Sequence, residues 1–357
     1  MTPVNPRSPP NEAAFNEFVF RRAPLAVMLA ASLIALVAGW SWTAAAAAVP
    51  WALSLVIVGL PHGAADLAVT RRLCGGASTV RVFAIYFAGM AAVFGLFVLA
   101  PAPLIAVFVG LSVWHFGMAH ADGQSPPIPA RFGRRLAAAL GRGAMVVGVP
   151  MAVWPEATTA VATRLLELVA SRSPPGRMAG GFDPATIRVA GLRLLAAAAC
   201  ALAVEAFAAR KTAGGLRRTA ATLVDLAVIG LLGTTTAPLF STGVYFLVWH
   251  SWRHMRLLAP LVAGTRPADP AALASALGAI HLAALPLLLP TWGAILAGWW
   301  FLSPHHSLTD LAILSLAVYL VVTPSHDVLI DFLRGRIADD EPSATTREPT
   351  ASRSCAA

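Results

Sequence analysis

Leu104–Ala121 reads LIAVFVGLSVWHFGMAHA: eighteen residues without a formal charge, with His115 and His120 in the last two turns. A helix of that length rises about 27 Å, close to the hydrocarbon thickness of a bilayer. Ionisable groups are expensive in lipid, so histidines in such a segment are expected to face a bundle interior and to mark function.

Outward from this stretch, apolar runs recur at Leu25–Trp40, Ala44–Leu67, Val82–Ala100, Leu136–Trp154, Val189–Ala209, Thr219–Leu232, Pro238–Leu257, Ala272–Leu289 and Leu308–Val322. The expected fold class is all-α, a polytopic membrane bundle of about eight to ten transmembrane helices. Trp292–Leu302 is too short to cross and reads as re-entrant or interfacial. Of 357 residues, 57% are hydrophobic and 12% charged, with mean hydropathy +0.71, too apolar for a soluble globule. The spacing predicts a polar N-terminal segment (1–22), one membrane domain (23–331) and a disordered polar tail (332–357). Ala44–Ala48 imitates a signal-peptidase site after Arg21 and Arg22, but a second apolar run follows at once, so the first helix is expected to be retained.

The net charge of +9 comes almost wholly from arginine, Lys211 being the one lysine. Arg71, Arg72 and Arg81, then Arg131, Arg134 and Arg135, then Arg210, Arg217 and Arg218, then Arg253, Arg256 and Arg266 follow alternate spans. By the positive-inside rule those connections are cytoplasmic anchors in a cell inner membrane, not nucleic-acid patches. The uncharged links at Pro101–Pro103 and Thr234–Ala237 belong to the other side. The outer connection Pro155–Ile187 mixes charges with leucines and suits an interfacial amphipathic helix. Cys74, Cys200 and Cys355 show no paired spacing, and Cys200 reads as a core residue. Glu205, Asp225 and Asp310 must face the interior, with Arg193 a prospective partner.

The nine histidines are grouped: Pro61-His62-Gly63 with Asp66, Trp114-His115-Phe116-Gly117 with Asp122, Trp249-His250 with His254, Pro304-His305-His306, and Pro324-Ser325-His326-Asp327. On this topology His62, His115, His250, His254 and His326 sit at one depth, near the cytoplasmic leaflet. His250 and His254 are four residues apart on one helical face. For His62, His115, His250 and His254 this depth and spacing favour a metal site. Imidazole alone does not choose among iron, copper, zinc and nickel. Asp66, four residues after His62, and Asp122, seven after His115, are candidates to orient those rings from behind. Trp114, Phe116, Trp249 and Trp252 form a prospective wall for a long apolar substrate, or serve as interfacial anchors. His281 stands alone and reads as a helix-packing group, while His120, His305 and His306 carry no assignment.

These motifs resemble the bacteriorhodopsin-related Brp/Blh family of membrane β-carotene 15,15′-dioxygenases over most of the apolar region. The resemblance implies Fe(2+) held by His62, His115, His250 and His254. It also implies central cleavage of β-carotene by O2 to two molecules of retinal, with the lipid bilayer as source of substrate and a retinal-accepting opsin as a further partner. The late Pro-His element departs from the family pattern, since Ser325 intervenes before His326, so His305 and His326 stay outside the ligand set. Two other classes compete. A metal-ion transporter would spread its His and Asp ligands across the membrane, and a di-iron desaturase or hydroxylase would need about eight donors. A rhodopsin is excluded because Lys211 lies in a polar loop rather than in a span.

Overall fold

The structure, a computed structural model, describes residues 10–122, 132–170, 182–303 and 305–340. Among these residues it is all helical. The helices are α1 (Glu12–Ala38), α2 (Val49–Cys74), α3 (Gly76–Leu99), α4 (Pro101–Asp122), α5 (Phe132–Val153), α6 (Pro155–Ala170), α7 (Pro184–Ala209), α8 (Gly215–Thr235), α9 (238–262), α10 (Pro270–Leu302) and α11 (Leu308–Asp340). Each of the ten apolar runs becomes one of these helices. Eight are long and apolar enough to cross a membrane; α8 and α9 carry too many polar groups to qualify by composition.

α9 explains its own polarity by position. Nearly every residue from Pro238 to Ser251 is buried, so its polar groups face protein rather than lipid. The periphery is the reverse: Val37, Ile85, Val204, Phe207, Leu282 and Phe301 point outward from α1, α3, α7 and α10, as lipid-facing side chains do.

Small residues draw the central helices together. A Cβ on Gly117 of α4 would sit 2.2 Å from the Ala139 carbonyl oxygen, and one on Gly143 of α5 only 1.8 Å from that of Val113. Backbone-to-backbone contact of this kind supplies dispersion energy where the hydrophobic effect offers nothing. It also fixes the turn of α4 that carries His115.

Several expectations need correction. Trp292–Leu302 is not re-entrant: α10 runs unbroken from Pro270 to Leu302, through Pro286 and Pro290. Residues 332–340, expected to be disordered, continue α11, and a helix already begins at Pro10 in the segment taken as polar and separate. Residues 1–9 and 341–357 lie outside the described residues. In the outer connection α6 forms as expected, and 171–181 lie outside the described residues. Cys200 is exposed on α7, not in the core. The interior carboxylates take partners other than Arg193: Glu205 pairs with Arg142 at 2.9 Å, Asp225 with Arg21 at 3.0 Å, and Asp310 with Arg164. Outside the spans, Asp183 caps α7. Its carboxylate accepts from the Thr186 N–H at 2.9 Å, and these bonds hold the carboxyl below its ordinary range.

Candidate metal centre

Helix breaks aim the histidines inward. Pro61 lacks an N–H and crowds the preceding turn, and α2 departs from helical geometry at Val58. The Val58 carbonyl then accepts both the His62 N–H and His62 Nδ1, each at 3.0 Å. In α9 the turn Tyr245–Ser251 widens to π geometry around His250, a distortion that recurs at functional sites. In α11, Pro324 removes one rung of the ladder two residues before His326.

Five imidazoles from α2, α4, α9 and α11 meet at one level. Ring centres of His115 and His250 are 4.6 Å apart, those of His250 and His62 5.4 Å, and those of His62 and His254 5.2 Å. His326 lies 5.8 Å from His62 and 5.7 Å from His115. The Nε2 atoms of His115 and His250 face each other at 3.0 Å. Two imidazole nitrogens this close would share one proton or one cation.

Three of the rings are held through Nδ1. Asp327 accepts from His115 Nδ1 at 2.6 Å, Asp66 accepts from His326 Nδ1 at 2.6 Å, and Val58 holds His62. An imidazole that donates through Nδ1 presents the Nε2 lone pair, which is how carboxylates and carbonyls prepare a metal ligand. Asp66 Oδ1 and His250 Nδ1 are buried without a hydrogen-bond partner, and Asp66 is fully buried. The donor set is therefore chemically suited to a cation. Among the described residues no three donors form a finished coordination shell as the rings stand.

The orienting carboxylates observed are Asp66 and Asp327. Asp66 serves His326, not His62, whose Nδ1 is taken by the Val58 carbonyl of its own helix. Asp327, which the sequence did not single out, serves His115; Asp122 ends α4, outside the residues whose side chains are described.

An apolar cavity of about 470 Å³ reaches the histidines, with His62, His115 and His326 in its wall. That volume is typical of sites for organic ligands. Of the four aromatics singled out in the sequence, Phe116 lines this cavity, while Trp114 lines a small recess on the far side of the ring beside His254 and Asp327. Trp249 lies under the Arg253 guanidinium at 4.4 Å, and Trp252 donates to the Val19 carbonyl at 3.0 Å, so both serve the packing of α9.

The remaining histidines are elsewhere. His120 is buried 3.7 Å from Asp225, His281 bonds to the Leu277 carbonyl of its own helix, and His305 and His306 are exposed between α10 and α11.

Residues 53–334, which contain all five clustered histidines, match the family described as Beta-carotene 15,15'-dioxygenase. The chain belongs to that family. It is similar to a protein of Halobacterium salinarum described as "Probable beta-carotene 15,15'-dioxygenase Blh". The two are 28% identical over 328 residues, covering 86% of this chain and 90% of the relative. No solved structure matches.

In this member of the β-carotene 15,15'-dioxygenase family, sequence reasoning passed over several aromatics that do line the cavity, and Trp51, Phe246 and Tyr319 are the ones that cluster beside the histidines. Phe246 stacks on His250 at 5.4 Å, Tyr319 packs on Phe246 at 4.8 Å, and Trp51 lies 5.6 Å from Phe246. The signal was present. Phe246 is four residues before His250, Tyr319 seven before His326 and Trp51 eleven before His62, each on the face of its histidine. Gly59 and Gly243 leave room for this cluster, since a Cβ on either would meet Phe246 or Trp51 at 2.8 Å.

Proposed function

We propose that this protein cleaves the central 15,15′ double bond of β-carotene with O2, giving two molecules of retinal, at an iron held by His62, His115, His250 and His254. The observation that carries this reading is the junction itself: an apolar cavity of organic-ligand size ends on a ring of imidazoles, of which His62, His115 and His326 are already held through Nδ1. Iron supplies the means to activate O2, which closed-shell polyenes do not react with readily by themselves. Two oxygen atoms added across one carbon–carbon double bond, with both of its bonds broken, balance as two aldehydes.

The chain's own residues would hold and dry the reactants. Phe116, Phe246, Tyr319 and Trp51 flank the imidazoles and offer flat faces to a polyene, and those faces also favour positive charge developing along it. Phe87 belongs to the cavity wall and is 47% exposed on the outer surface of α3, which suits lateral access from lipid. The carboxylates Asp66 and Asp327 keep the imidazoles in one tautomer. Two carboxylates also balance the charge of a divalent ion in an interior where an unmatched charge of either sign is costly.

The clustering favours this reading over ion transport, which needs donors at several depths. It also favours one iron over two, because Asp66 and Asp327 each already accept from an imidazole. The arginine-rich ends of α2, α7 and α9 support a cytoplasmic position for the histidine ring in the inner membrane.

The test is expression in cells that accumulate β-carotene, with chromatographic measurement of retinal, beside His250→Ala. Iron-dependent retinal that disappears in the variant is expected. Undiminished carotene with well-folded wild-type protein would overturn the reading.

A further inference from the structure

We infer that His326, oriented by Asp66, is a fifth imidazole ligand of the metal centre, an inference that rests on the reading of that centre as an iron site. Without His326 the other four rings make an open arc. The arc runs from His115 to His250 at 4.6 Å, then to His62 at 5.4 Å and to His254 at 5.2 Å. His326 closes it, 6.3 Å from His254 at one end and 5.7 Å from His115 at the other. No histidine outside this circle joins it among the described ring contacts.

Its preparation matches that of its neighbour. His326 is 5% exposed and its Nδ1 lies 2.6 Å from Asp66 Oδ2, as His115 Nδ1 lies 2.6 Å from Asp327 Oδ1. Asp66 is fully buried, and its bond spans α2 and α11, so it does not stabilise one helix locally. A buried carboxylate gripping Nδ1 commits the ring to presenting Nε2, the tautomer that a metal requires. His326 also lines both the large cavity and the small recess, as His115 does, so it stands where substrate space meets the ring.

The experiment uses the full chain purified in detergent. Iron per chain is measured by elemental analysis, affinity by competition with a chelator, and coordination by the visible absorption of the cobalt(II)-loaded protein. His326→Ala and Asp66→Asn are compared with wild type and with His281→Ala. The inference expects affinity to fall at least about tenfold in both variants of the pair, with altered cobalt bands in His326→Ala and no change in His281→Ala. Asp66→Asn preserves shape, so it carries the test if His326→Ala does not fold. Wild-type affinity and unchanged cobalt bands in the variants overturn the fifth ligand alone. A wild-type protein that binds neither metal overturns the metal-centre reading and this inference with it.

Discussion

Asp327 Oδ1 lies 2.6 Å from His115 Nδ1, joining α11 to α4 across 212 positions of chain, directly beside the bond from His326 to Asp66. Two consecutive residues of α11 thus face two different helices, one as acceptor and one as donor. Asp327→Asn should leave the fold intact, because the amide keeps the shape and can still accept through its oxygen. It should weaken iron binding about 10- to 100-fold, as loss of an orienting carboxylate does. Chelator competition on the purified variant is the check; unchanged affinity would show that His115 needs no such support.

The aromatic cluster should govern substrate use, not metal. Phe246→Leu removes the ring stacked on His250 while keeping an apolar side chain. Iron content is expected to stay at the wild-type level and kcat/KM for β-carotene to fall roughly tenfold, corresponding to about 1.4 kcal/mol of lost stabilisation. Steady-state assays in mixed micelles with parallel iron analysis read both. A fall in iron content would move Phe246 from the substrate wall to the support of His250.

Close packing of α4 on α5 should be intolerant of a single methyl group. Gly143→Ala puts a Cβ within 1.8 Å of the Val113 carbonyl oxygen unless the helices separate. The expected loss is about 1–3 kcal/mol, visible as a lower thermal midpoint in detergent. Because Val113 is two residues before His115, iron affinity should fall as well.

Arg21 and Asp225 form an ion pair at 3.0 Å in which the carboxylate side chain is 6% exposed. Arg21→Met strands that charge and should cost about 3 kcal/mol, whereas Arg21→Met with Asp225→Leu should recover most of it. A double-mutant cycle on unfolding free energy measures the coupling. Equal loss in the single and double variants would mean that packing, not charge, holds α1 on α8.

Orientation is testable through Cys74, half-buried at the end of α2 beside Arg71 and Arg72. With Cys200 and Cys355 replaced by serine, a membrane-impermeant maleimide should label Cys74 in inverted vesicles and not in intact cells. The opposite pattern would put the histidine ring near the outer leaflet and refute the arginine argument.

What the sequence by itself determined is local and periodic. Apolar length gave the helices, because a bilayer demands that each backbone group be bonded within its own segment. Alternating arginines and the even placement of the histidine-bearing spans gave a common depth for His62, His115, His250, His254 and His326. Those properties depend on rise per residue and on charge, which a single chain displays openly. Rotation about each helix axis is a different quantity, and only the tertiary structure decided it. Asp66 was legible as a carboxylate near His62, but His62 turned its Nδ1 to Val58 and Asp66 received His326, while Asp327 came to His115 from a helix distant in sequence. Trp249 and Trp252, one and two residues from His250, were rotated away from the cavity, while Phe246, Tyr319 and Trp51, one to three turns from their histidines, were brought to it. In a helix neighbours in sequence point about 100° apart and share no wall. Which face turns inward was set by contacts such as Gly117 on Ala139, between segments that the linear sequence does not pair.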